Sequence, residues 1–107
     1  MDHTFQLVLA LISRLEIRIS DHGYDELAED DILIRGILGG VRDGAVIEDD
    51  PEIPKGPCVL VLQKDREGKP IHVVWRIPSH ASTPAVLVTA YRPQSERWTE
   101  DFTRMIP

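Results

Sequence analysis

From Glu16 to Val41 (EIRISDHGYDELAEDDILIRGILGGV) the hydrophobic period changes once, and that change sets the layout of everything around it. Ile17-Arg18-Ile19 alternates like a strand, Ser20-Asp21 interrupts it, and His22-Gly23 leads into two successive helical patterns. The residues before this stretch read as a further packing helix, and those after it as the sheet.

Residues 4–15 (TFQLVLALISRL) predict a helix apolar around most of its circumference, with Gln6, Ser13 and Arg14 as the polar exceptions. Asp21 is positioned to cap a first short helix through Glu29, with Asp25 and Glu26 near its positive end. Asp30 or Asp31 would cap a second helix carrying Ile32, Leu33, Ile34, Ile37, Leu38 and Val41, with Gly39-Gly40 as its stop. A strand follows from Ala45 and dies in Glu48-Asp49-Asp50-Pro51, and residues 49–57 form a loop.

Pro57–Lys64 and Ile71–Ile77 are two strands joined by Asp65-Arg66-Glu67-Gly68, which fits a type I turn ending on a left-handed glycine. That turn sets Asp65 opposite Lys69, Leu62 opposite His72 and Cys58 opposite Arg76. One hairpin face then carries Val59, Val61, Ile71, Val73, Trp75 and Ile77, and the other Cys58, Leu60, Leu62, Lys64, His72, Val74 and Arg76. Both are apolar in the middle, so each requires cover. Ala85–Arg92 is a further strand, and after Pro93, Ser95 would cap a terminal helix to about Arg104.

The 107 residues suffice for one domain, 1–107, and not for two. A single cysteine, Cys58, forms no internal disulfide. The apolar run Leu7–Ile12 has neither the basic flank of a secretion signal nor the length to span a bilayer, so a cytoplasmic protein off the membrane is expected. Charge is uneven: residues 1–56 hold 5 Lys/Arg against 13 Asp/Glu, whereas 57–107 hold 7 against 5. The overall charge of −6 argues against general, tight nucleic-acid binding.

His22, at the strand-to-helix corner, is the first chemical candidate, because an imidazole titrates near neutrality and exchanges protons readily. A structural hydrogen bond at the corner is its alternative. Lys64, His72 and Arg76 share one hairpin face, with Arg92 arriving on the next strand. Metal-free RNA cleavage needs such a set: a base for the 2′-hydroxyl, an acid for the leaving oxygen and cations for the phosphorane. Tyr24 and Tyr91 could stack on bases. The histidines lack metal-ligand spacing and no glycine loop cradles phosphate, so neither metal nor other cofactor is expected.

The Ser20-Asp21-His22 corner, the hairpin, the strand end Val88-Thr89-Ala90-Tyr91-Arg92-Pro93 and Glu96-Arg97-Trp98 together resemble a bacterial domain-of-unknown-function family similar to the BrnT and RelE toxins. The resemblance implies an α+β fold with N-terminal helices packed on a small antiparallel sheet and membership of a toxin–antitoxin pair. Of the site residues the resemblance carries over only His22 and the Tyr91-Arg92 strand end; joined to Lys64, His72 and Arg76 from the hairpin register, the expectation is a metal-independent endoribonuclease acting on single-stranded RNA. His22 is base or acid, His72 its proton partner, and Arg76 and Arg92 are phosphate clamps. Lys64 is an outlying phosphate contact. The alternative is a non-catalytic protein-interaction module of the same fold. The breadth of apolar surface further implies a partner, either an antitoxin-like protein or a second copy in a homodimer. An antitoxin would be basic where it meets Asp25–Asp31.

Overall fold

The structure, a computed structural model, describes residues 3–107. Helix α1 (His3–Ser13) is followed by strand β1 (Ile17–Ile19), helices α2 (Asp21–Glu29) and α3 (Ile34–Gly40), and a 3-10 turn, Val41–Asp43. Strands β2 (Ala45–Asp50), β3 (Cys58–Lys64), β4 (Pro70–Arg76) and β5 (Ala85–Tyr91) complete an α+β domain.

The strands lie in the order β1-β5-β4-β3-β2. The sheet is mixed, and the expectation of an antiparallel sheet holds only from β2 to β5: β1 runs parallel to β5. The cause is the path of the chain. After β1 the helices carry it across to the far edge, and the β2–β5 meander walks back until its last strand meets the first.

The hairpin register is the expected one, with Cys58 opposite Arg76, Leu62 opposite His72 and Lys64 opposite Pro70. Gly68 takes φ +80 and donates its amide to Asp65, whose carboxylate accepts from the amides of Glu67 and Lys69. Val59, Val61, Ile71, Val73 and Trp75 therefore face the helices, and with Leu87, Ile37, Val8 and Leu11 they make the core. Helix α1 buries Phe5, Val8, Leu11 and Ile12 and leaves Leu7 43% exposed, so it is covered on one side only.

The starts of α2 and α3 differ from expectation. Ser20, not Asp21, caps α2: its Oγ accepts from the Gly23 amide at 2.9 Å. Neither Asp30 nor Asp31 caps α3, which begins after Leu33 with no side-chain cap. Asp31 instead ends α2, in the left-handed region at φ +54. The Ile32 amide then reaches back to the Leu27 carbonyl, and Ile32 and Leu27 are both buried.

The expected helix from Ser95 to Arg104 does not form. Asp101 accepts from the Thr99 hydroxyl and from both the amide and hydroxyl of Thr103, so these side chains capture the backbone in a turn. Trp98 bridges to Met105, and Phe102 sits at φ +61. The segment is a strap lying on the sheet face opposite the helices. Among the described residues, no helix is long and apolar enough to cross a membrane.

Candidate functional site

The face of the sheet turned away from the helices holds most of the candidate residues. Its pairing places side chains in rows: Arg18, Val86, Arg76, Cys58 and Asp50 in one; Thr89, Val74, Leu60 and Glu48 in the next; and Tyr91, His72, Leu62 and Ala45 in the third. Two register shifts shape it. Val88 is left unpaired in β5, and Ile47 in β2. Without the first, Leu87 and Tyr91 would lie on the same face.

His72 is fully buried at the end of this face. Its Nε2 lies 2.8 Å from the Phe102 carbonyl and its Nδ1 3.2 Å from the Tyr91 hydroxyl. A carbonyl only accepts, so Nε2 carries the proton and neutral Nδ1 accepts from Tyr91. Trp98 and Tyr91 meet the ring edge-on at 4.3 and 5.3 Å. Burial pushes the His72 pKa below its ordinary value, against the upward pull of the Phe102 carbonyl. Burial, with a smaller contribution from Glu48, raises Tyr91. The strap thus encloses His72, and its burial favours the neutral ring.

Arg76 lies half-buried in the first row beside Cys58, with its Nε buried and unpartnered among the described residues. Burial raises the Cys58 thiol, partly countered by Arg76. A protonated, buried thiol is a poor nucleophile. Lys64 is exposed at the hairpin end.

His22 lies elsewhere. Helix α2 packs on the helical side of β5 through Gly23 and Leu27, and His22 points outward, 65% exposed, with Nε2 3.4 Å from Glu26. The close approach explains Gly23: a Cβ there would come within 2.9 Å of the Leu87 carbonyl oxygen. Ser20 secures the same corner by donating to the Val88 carbonyl, the one the bulge leaves out of register. Tyr24 is 60% exposed on the same helix.

Arg92 also turns away from the basic row. Its amide donates to the Asp30 carboxylate at 2.8 Å, its Nε to the Asp30 carbonyl and its Nη1 to Asp65 at 3.0 Å. Partial burial raises the Asp65 carboxyl, but hydrogen bonds from the Lys69 amide, Arg92 and the Glu67 amide outweigh it, and the net shift is downward. Arg92 thereby ties the end of α2 to the hairpin turn.

Lys64, His72, Arg76 and Tyr91 therefore share one face, while His22, Tyr24 and Arg92 are on the helical side. Glu48 and Asp50 join the first group through pairing of β2, and Arg18 through the parallel pairing of β1; neither pairing can be read from hairpin register. Phe102 and Trp98 were hidden by the helical reading of their segment. Among the described residues no three His, Cys, Asp or Glu side chains gather as a metal site.

A family model described as a domain of unknown function, DUF4258, matches residues 19–92, from the end of β1 to the arginine that precedes the strap. No curated protein and no solved structure matches the chain significantly. The match covers well over half of the 107 residues, and the chain belongs to the DUF4258 family.

Proposed function

We propose that this DUF4258 domain is a non-catalytic protein-interaction module of RelE- or BrnT-like plan, working in the cytoplasm against a basic, antitoxin-like protein. The observation that carries the reading is the separation of its two proton-transfer candidates. His22 is exposed on the helical side, and His72 is buried beneath the opposite face with both ring nitrogens engaged. General acid–base catalysis needs both groups within hydrogen-bond reach of one substrate. The clamp expected of Arg92 is already occupied by Asp65 and Asp30.

Charge supports the choice of partner. Asp21, Asp25, Glu26, Glu29, Asp30 and Asp31 follow one another with no cation between them, and Glu48, Asp49 and Asp50 are exposed on the edge strand. Such a surface repels a polyanion and steers a basic protein toward it, more weakly as salt rises. Sedimentation of the chain alone and co-expressed with the product of its neighbouring gene tests this. A defined hetero-complex is expected. Independent sedimentation of the two proteins refutes the antitoxin pairing, and a chain that forms only dimers with itself favours a homodimer instead.

The ribonuclease reading keeps one observation in its favour, the shared face of Lys64, His72, Arg76 and Tyr91. It requires the strap to leave His72 before RNA reaches that face. A truncation after Arg92 that cleaves RNA without metal, where the full chain does not, would establish it.

A further inference from the structure

We infer that the free edge of β2 is the docking strand for an extended, basic segment of the partner protein, whose cationic side chain enters the cleft at the Ala45 end of that strand. This rests on the interaction-module reading and names the surface and chemistry of the contact.

The two sheet edges differ. β1 spans 3 residues, whereas β2 spans 6 and pairs on one side only, with β3. The outward N–H and C=O groups of β2 meet no further strand among the described residues, so an added strand gains main-chain hydrogen bonds there. Glu48, Asp49 and Asp50 are exposed along this edge, Glu48 and Asp50 toward the outer face. Two copies of such an edge, each lined by Glu48, Asp49 and Asp50, repel each other. A strand with Lys or Arg opposite Glu48 and Asp50 is attracted instead. The edge thus selects against its own copies and for a basic segment.

The cleft supplies the second part. It has a volume of about 750 Å³, and Ala45, the first residue of β2, forms part of its wall. Leu62, Pro70 and Phe102 give it apolar surface, and Asp43, Glu100 and Asp101 line it with carboxylates. Asp43 and Glu100 make no ion pair among the described residues, and Lys64 is the one cation lining the cleft. An apolar floor with acidic walls suits a long cationic side chain, whose methylene stem lies on Leu62 and Phe102 while its head reaches a carboxylate. The strap contributes Phe102, Glu100 and Asp101, so it builds the cleft as well as covering His72.

The test uses the full chain and a ten-residue synthetic peptide of alternating valine and arginine, followed by amide NMR. A glutamate-for-arginine peptide and an arginine peptide N-methylated on alternate residues serve as controls. Expected are shifts confined to Ala45–Asp50 and the cleft, weakening of binding by at least tenfold on N-methylation, and severalfold weakening in Asp43→Asn/Glu100→Gln. Binding that perturbs α2 and leaves β2 unmoved overturns the edge assignment but leaves a basic-partner module standing. Equal binding of the N-methylated or glutamate peptide also overturns it. If the arginine peptide perturbs no site at all, both the edge and the basic partner are refuted.

Discussion

His72 donates from Nε2 to the carbonyl of Phe102 at 2.8 Å, joining β4 to a residue thirty positions later in the strap. Phe102 itself adopts φ +61, a conformation that a bulky side chain rarely takes without compensation. His72→Phe preserves ring packing against Trp98 but leaves the Phe102 carbonyl and the Tyr91 hydroxyl without this partner. The expected cost is about 1–3 kcal/mol. Trypsin should also cut at the exposed Arg97 and Arg104 faster than in the parent chain. Equal cleavage rates would mean that the histidine does not hold the strap.

The same histidine makes stability depend on pH. Its folded pKa lies below its unfolded value of about 6.5. As pH falls through 6.5 the unfolded chain takes up a proton that folded His72 refuses, so stability declines until the folded group also titrates. Above about 6.5 the contribution is fully present. Urea midpoints should therefore drop from pH 7.5 to pH 5.5, and the drop should shrink in His72→Phe. An unchanged pH dependence in that variant would assign the effect to other groups.

Leu15 ends α1 in the left-handed region at φ +59 while 76% exposed. The Glu16 amide closes the turn onto the Leu11 carbonyl at 3.0 Å. Leu15→Gly removes a left-handed penalty of roughly 1–2 kcal/mol at the expense of little buried area. A net gain of about 1 kcal/mol, or roughly 4 °C in Tm, is expected from thermal unfolding. A loss would show that Leu15 packs more than its exposure indicates.

Gly23→Ala should act in the opposite direction. The added methyl meets the Leu87 carbonyl oxygen and lies 3.2 Å from the Ile19 and Leu87 side chains, so α2 must lift from β5. Overpacking of this kind costs about 1–3 kcal/mol. Calorimetry showing parent stability would mean that α2 shifts freely.

Much of the hairpin was legible because a short turn with Asp65 and Gly68 leaves one register open, and that register places Lys64, His72 and Arg76 on one face. The parallel β1–β5 pairing was not legible, since it joins Ile17 to Ala85 and no local pattern encodes so distant a neighbour. The side on which Arg92 lies depends on Asp30 and Asp65, both remote in sequence. The strap imitates a helix for a local reason. Ser95 and Glu96 resemble a helix start, yet Thr99, Asp101 and Thr103 offer the backbone better partners in a turn. The corner at Ser20 was visible as a corner, but its capping residue was misplaced by one position, and the role of His22 does not follow from that geometry.

Whether the domain is a binding module or a nuclease is tested most directly by metal-free cleavage of single-stranded RNA, with the parent chain and His22→Ala compared side by side. His22 is exposed and, among the described residues, its side chain pairs with Glu26 alone, so the variant should fold as the parent does. The expected result is no cleavage above background by either protein. Cleavage by the parent that falls a hundredfold or more in His22→Ala, the range lost with a general acid or base, would contradict the non-catalytic reading and restore His22 to an active site.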